Sequence, residues 1–361
     1  MLTRKNSQFC LIARSYKVLG AQMCMTVASN HLQDVDLRTL LTSLIIIIIG
    51  SVYAIIKLLS HTPRPPVPEE LQYQTADIQG NILKGKLPNV TSDLKNGIDD
   101  ILISVVVPSY NETSRILVML TEAIKYLQSS AQNKWEILIV DDGSKDGTAE
   151  FCLELSHKEF KLDAGQLRVL KFVKNRGKGG AVRHGLLHVR GKYALFADAD
   201  GASNFSDLEA LLKSIRDVEK GSNDAAVAIG SRAHMVNTDA VVKRSFIRNL
   251  LMYGLHTLVF VFGIRSIKDT QCGFKVFNRQ AIIEIFPFLH TEGWIFDVEI
   301  LMVAIRKSIP IIEVPISWHE VDGSKMDLAR DSINMAKDLV VIRMAYILGI
   351  YKDSIESARW H

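Results

Sequence analysis

Cysteine is scarce in this chain of 361 residues. Cys10, Cys24, Cys152 and Cys272 stand far apart, and none forms a C-x-x-C pair. That excludes a zinc ribbon and a dithiol redox motif, and it fits a reducing compartment for the folded part. An excess of charge of one sign is also lacking: 43 Lys plus Arg face 39 Asp plus Glu, a formal +4. So mild a balance excludes the basic footprint of a nucleic-acid-binding protein. No internal repeat is present, and low complexity is confined to an isoleucine run and a proline-rich spacer. What remains is a composition of 48% hydrophobic and 23% charged residues, which excludes a disordered chain, a collagen-like fibre and a coiled coil. The mean hydropathy is slightly positive, which directs attention to a membrane segment.

That segment lies early. Thr39 to Ile56 carries no charge, and Ile45–Ile49 is pure isoleucine. Eighteen residues of helix reach about 27 Å, near the thickness of a bilayer core. Lys57 can snorkel, so the span extends through Leu59. A buried core helix is the alternative, but no polar face interrupts the run. The late start and the lack of a small-x-small site argue for an uncleaved anchor. Arg38 on one side, against Lys57 and Arg64 on the other, favours a cytosolic C-terminal side. Residues 1–33 hold Arg4, Lys5, Arg14 and Lys17 but no acid, the mark of a weak transit peptide or of a solvated tail. The expected layout is a tail over 1–38, an anchor helix over 39–59, a linker over 60–99 that begins with a stiff Pro-rich spacer, and a folded domain over 100–361.

From residue 100 the pattern alternates. Buried strands are predicted over Ile101–Val107, Glu136–Val140, Arg168–Val173 and Tyr193–Ala197. Helices are predicted over Arg115–Leu127, Asp146 to about His157, and Ala181–Val189. The fold class is α/β with a mostly parallel sheet. Acidic and polar residues follow the strand ends, where ligands bind in open α/β sheets.

Four motifs occupy those ends. Pro108-Ser109-Tyr110-Asn111-Glu112 offers an aromatic to stack on a base and a carboxylate for hydroxyls, or it is a strand-ending turn. Val140-Asp141-Asp142-Gly143-Ser144 suits nucleoside hydrogen bonding, with Asp142 the better ligand; a helix N-cap at Ser144 or Asp146 is compatible with that. Asn175-Arg176-Gly177-Lys178-Gly179-Gly180-Ala181 opens a helix with glycines, so Lys178 and the helix N-terminus suit a phosphate, or the segment is a flexible turn. It is not a Walker A loop, because the glycine and Ser/Thr spacing is missing. Asp198-Ala199-Asp200 ends the fourth strand, and its hard oxygens suit Mg²⁺ or Mn²⁺ with substrate phosphates completing the shell.

Taken in order, these motifs resemble the family-2 nucleotide-sugar glycosyltransferases of GT-A fold. Gly230-Ser231-Arg232, Asp269–Lys275, Trp294–Glu299 and Gly323-Ser324-Lys325 narrow the resemblance to members that glucosylate dolichyl phosphate. It covers roughly residues 101–350. Gly177–Ala181 departs from the G-L-G-T-A of mannosyl relatives, and Ala202 stands where those carry a glutamine, so a third protein ligand for the metal is missing from the pattern. The Gln-x-x-Arg-Trp of processive polysaccharide synthases is absent. The resemblance implies a GT-A (Rossmann-like), mostly parallel mixed sheet flanked by helices, with one N-terminal transmembrane helix. It implies inverting transfer of glucose from UDP-glucose to dolichyl phosphate at the endoplasmic reticulum membrane, with the catalytic domain facing the cytosol. Another polyprenyl-phosphate glycosyltransferase, or a non-catalytic membrane-anchored scaffold, are the alternatives.

By the same resemblance, Pro108, Tyr110, Glu112, Val140 and Asp142 hold uridine. Asp198 and Asp200 hold the metal on the diphosphate, Asp200 counting also as catalytic, while Ala199 joins the nucleotide-sugar contacts and Lys178, Arg232 and Lys325 lie on phosphates. Asp297 matches the family's catalytic carboxylate, or it orients a sugar hydroxyl or an arginine. The acceptor phosphate falls to Arg244 and Arg248. Around them, residues 245–264 are strongly apolar yet interrupted by Arg248 and His256. An interfacial helix in contact with membrane lipid accommodates these cations, whereas a second span would bury Arg248 at high cost; a buried core helix remains open. The amphipathic stretch Asp327–Tyr351 is expected to pack in the core, with membrane contact as the alternative.

Overall fold

The computed structural model describes residues 37–92, 101–131, 133–219, 224–235, 254, 257, 264–321 and 327–353. Arg244, Arg248, Lys325 and nearly all of the apolar stretch 245–264 lie outside the described residues. The chain divides into two units at Leu59–Ser60.

The first unit contains helix α1, Leu37–Leu59, two residues longer at its start than predicted. Its 23 residues extend about 35 Å, long and apolar enough to cross a membrane.

Among the described residues the second unit contains nine strands: β1 (Gln72–Ala76), β2 (Ile82–Lys86), β3 (Ile103–Ser109), β4 (Trp135–Asp141), β5 (Leu167–Lys171), β6 (Tyr193–Ala197), β7 (Val227–Ser231), β8 (Phe274–Asn278) and β9 (Ile311–Pro315). They form one sheet in the order β2-β1-β5-β4-β3-β6-β8-β7-β9. The four central strands β5, β4, β3 and β6 are parallel, as the alternating pattern predicts. β8 runs antiparallel between β6 and β7, and β9 is parallel to β7.

The helices are α2 (Ile116–Ser130), α3 (Thr148–Lys158), α4 (Lys178–Leu186), α5 (Leu208–Glu219), α6 (Arg279–Ile285), α7 (Phe296–Arg306) and α8 (Leu328–Ile347). Side chains alternate across each strand, so the sheet has two apolar faces. Ile103, Val105 and Val107 join Met119, Ile124, Leu153 and Leu211 in one cluster with α2, α3 and α5. Val106 and Val140 face the other way, onto Gly185 of α4, where a Cβ would lie 2.5 Å and 2.8 Å from their methyl carbons. Phe296 of α7 packs edge-on against Phe196 of β6, with 5.7 Å between centroids. In α8, Met335, Leu339, Ile342 and Ala345 are buried, the core role expected of that stretch.

The segment read as a linker, 60–99, requires correction. It contains β1 and β2, which pair as a hairpin and extend the sheet through Gln74 opposite Val169. Both strands are short and mixed in polarity, so no period-2 signal marks them. Their position rests on long-range contacts such as Thr75 Oγ1 donating to the Leu167 carbonyl at 2.7 Å.

Candidate active site

Three strand ends and one helix N-terminus converge on a cleft of about 380 Å³. The ends of β3 and β4 are stitched together. After β3 the chain turns through Asn111 at φ 55°, a region that asparagine tolerates better than most residues. Asn111 N–H donates to Ser144 Oγ at 2.9 Å, and Lys145 N–H donates back to Asn111 Oδ1. Glu112 N–H donates to Thr148 Oγ1 at 2.9 Å. The first two motifs therefore act as one wall.

On that wall Pro108, Tyr110, Glu112 and Asp142 line the cleft. Tyr110 is 37% exposed, with its ring available for stacking. Glu112 is clamped by Arg115 through a fork of 2.8 Å and 2.7 Å. The side chain of Val140 is buried and turned by the pleat onto Gly185 of α4. Asp141 is fully buried and accepts from Ser144 N–H. Gly147 is the N-cap of α3, while Asp146 accepts from Thr148 N–H and hydroxyl, so neither Ser144 nor Asp146 is the cap residue.

Asp142 is held by the glycine-rich loop. Its two carboxylate oxygens accept from Arg176 N–H at 2.6 Å and Gly177 N–H at 2.9 Å. Burial pushes its pKa up to about 6, against those two hydrogen bonds. Gly177 sits at φ 98°, and a Cβ there would meet the Glu292 carbonyl oxygen at 2.5 Å, so only glycine fits. Lys178 is the first residue of α4.

The opposite wall carries Asp198, Ala199 and Asp200. Asp198 N–H donates to the Gly273 carbonyl at 3.1 Å, and a Cβ on Gly273 would lie 2.0 Å from Asp198 Oδ2. Backbone at Gly273 thus forms the cradle of that carboxylate. Asp200 Oδ1 accepts from Ala202 N–H at 3.0 Å. Lys178 Nζ stands 2.7 Å from Asp198 Oδ1, under the rings of Phe196 and Trp294. Burial opposes its charge, but Asp198, Asp297 and Asp200 outweigh it and hold its pKa above the ordinary value.

Two carboxylates with hard oxygens fit a divalent cation, and the half-buried cradle leaves room for substrate oxygens. Among the described residues no group of three His, Cys, Asp or Glu side chains could hold a metal.

Two predicted residues are not among those that line the cleft. Asp297, in the first turn of α7, is buried in an ion pair with Lys275 Nζ at 2.6 Å. Burial raises its pKa, while Lys275 and Lys178 oppose that rise. Arg232 follows β7 and forms a fork with Asp269 at 2.7 Å and 2.9 Å, over the Trp318 ring. Burial opposes its charge, yet Asp269 holds its pKa above the ordinary value. Sequence reasoning missed Arg115, Asn175 and Trp294 on the cleft wall. Trp294 and Asn175 lay in stretches already singled out; Arg115 adjoins a motif but carries no local mark of direction. It also missed Lys275, fully buried on β8.

Glycosyl transferase family 2 matches residues 104–286. The dolichyl-phosphate β-glucosyltransferase of Saccharomyces cerevisiae is 62% identical over 322 residues, covering 88% of this chain and 96% of that one. The Dictyostelium discoideum protein of the same name is 50% identical over 262 residues, covering 72% and 79%. Among solved structures, glucosyl-3-phosphoglycerate synthase from Mycobacterium tuberculosis, in complex with Mn²⁺, UDP-glucose and phosphoglyceric acid, superposes with a TM-score of 0.43 at 17% identity, covering 69% and 80%. The sheet, the ordered motifs on its strand ends and these close relatives lead to one conclusion: the chain belongs to glycosyl transferase family 2.

Proposed function

We propose that this protein is a membrane-anchored glucosyltransferase that moves glucose from UDP-glucose to dolichyl phosphate with inversion, at the cytosolic face of the endoplasmic reticulum. The observation that carries the reading is one cleft with two chemically distinct ends. Tyr110 and Asp142 offer stacking and a hydrogen-bond acceptor for a base, while Lys178, Asp198 and Asp200 offer charge and hard oxygens for a diphosphate. The names of the relatives supply the sugar and the lipid.

Asp198 and Asp200 would hold Mg²⁺ or Mn²⁺, which when bound neutralises charge on the diphosphate. Lys178 shares that task from the protein side. The acceptor needs little activation, because a phosphate monoester with its second pKa at about 6 is mostly dianionic at neutral pH. One of its oxygens attacks the anomeric carbon from the face opposite UDP. The bond from that carbon to the diphosphate oxygen breaks, UDP leaves with the electron pair, and no proton has to be removed. What the enzyme supplies is orientation and cationic surroundings. Arg244, Arg248 and Lys325 are the proposed acceptor and phosphate cations, with Arg232 held ready by Asp269. Asp297, already paired with Lys275, serves as a positioning residue rather than as a base.

The test is sugar transfer by the purified full-length protein in detergent, with dolichyl phosphate, Mg²⁺ and radiolabelled donors. Lipid-soluble product from UDP-glucose, lost on chelation and absent with GDP-mannose, is expected. Product from GDP-mannose alone would overturn the sugar, and product from neither would overturn the enzymatic reading.

A further inference from the structure

The segment after Leu59 is read from sequence as a spacer, yet it is engaged by the floor of the cleft. Arg176 belongs to the loop whose N–H groups hold Asp142, and its side chain is 7% exposed. It spends its guanidinium on the segment that leads out of the anchor. Nη1 donates to the Arg64 carbonyl at 2.5 Å, and Nη2 donates to the Pro65 carbonyl at 3.0 Å and pairs with Glu70. Arg64 returns the contact: its Nε lies 2.8 Å from Glu292 Oε2, and its Nη2 donates to the Asn175 carbonyl at 3.0 Å. Glu292 in turn faces Arg176 at 3.4 Å, and its carbonyl accepts from Gly180 N–H at 3.1 Å. Glu70 closes the circuit by accepting from Val173 N–H at 3.2 Å.

Two arginines and two glutamates thus balance one another around a single loop. The loop places Asn175, Gly177 and Lys178 on the cleft wall, and the chain beyond Glu292 places Gly293 and Trp294 there. Arg64 also lies within electrostatic reach of Asp142, favouring its ionised form. None of these residues is near its partner in sequence; Arg64 and Glu292 are 228 positions apart.

We infer that residues 61–71 form a strap that sets the donor-binding loop, with Arg64 as a positioning residue for the nucleotide sugar through Glu292 and the Asn175 carbonyl. The inference rests on reading the cleft as a UDP-sugar site. A misplaced loop weakens the N–H grip on Asp142 and shifts Lys178, so the loss falls on donor affinity. Arg64 suits a test because its side chain is 40% exposed and Glu292 retains Arg176 when it is removed.

The experiment uses the full-length protein, its Arg64→Ala and Arg64→Lys variants, UDP titration with Mn²⁺, and transfer kinetics against both substrates. Arg64→Ala is expected to weaken UDP binding and to raise the UDP-glucose KM about tenfold, the worth of one charge-assisted hydrogen bond. The dolichyl phosphate KM is expected to stay unchanged. Arg64→Lys is expected to fall between, because a point charge cannot serve Glu292 and the Asn175 carbonyl together. A purely structural role would lower the active fraction and leave both KM values as they were, and that result would overturn the strap. So would unchanged UDP affinity in Arg64→Ala. If the wild type binds UDP but does not transfer glucose, the proposed reaction falls while UDP affinity still decides the strap. If the wild type does not bind UDP, both fall.

Discussion

Asp142 shows how a single side chain acquires its chemistry from its surroundings. Burial favours the neutral acid, while the N–H groups of Arg176 and Gly177 favour the carboxylate, and the balance lies at about 6. An ionised Asp142 accepts a base N–H better than a protonated one does. UDP-glucose has no group of its own that titrates there, so its binding should weaken as pH falls through about 6 and hold steady above 7. Asp142→Asn sets an amide NH₂ against one of the two backbone donors. It should lower affinity at pH 7.5 about tenfold and flatten the pH profile, read by titration calorimetry. At this scale the sequence was informative wherever a motif ended a strand: Pro108, Tyr110, Glu112, Asp142, Lys178, Asp198, Ala199 and Asp200 all reach one cleft. It was silent where function depends on distant pairing. Nothing local to Lys275 announces Asp297, and nothing local to Arg64 announces Glu292.

Among elements, the join between β6 and β8 matters most. The antiparallel pairing brings Ala197 opposite Phe274 and so sets Gly273 directly beneath Asp198. Because a Cβ at Gly273 would fall 2.0 Å from the carboxylate oxygen, Gly273→Ala must move either the loop or Asp198. The expected result is a loss in kcat/KM of about a hundredfold, the scale of a misplacement of roughly 1 Å. The fold should persist, as judged by an unchanged circular dichroism spectrum. The alternating βα pattern made β3 to β6 readable, because buried parallel strands are continuous apolar runs. β1 and β2 lacked that signal: QYQTA and ILKGK are short and mixed, and they become strands by pairing with each other and with β5. The antiparallel course of β8 was hidden too, since strand direction is set by connections and not by composition.

For the whole molecule, the anchor and the folded unit are distinct, but the boundary is narrow. Helix α1 ends at Leu59, and the contacts of the strap begin at His61, whose backbone N–H donates to the Tyr351 hydroxyl at 2.6 Å. Removal of residues 1–59 should leave UDP-glucose affinity intact while reducing use of dolichyl phosphate presented in vesicles. Removal of residues 1–71 deletes Arg64 and Glu70 as well, and should weaken UDP-glucose binding about tenfold or more. Comparing the two truncations by titration and by vesicle assay separates anchoring from support of the cleft; equal donor affinity in both would contradict that division.

The most direct measurement is calorimetric titration of UDP-glucose into the full-length protein, with Mn²⁺ and then with chelator, alongside Asp200→Asn. The account predicts saturable binding at one site that is lost with chelator and lost in a folded Asp200→Asn protein. Binding of equal strength in all three would show that Asp198 and Asp200 do not form a metal-dependent donor site.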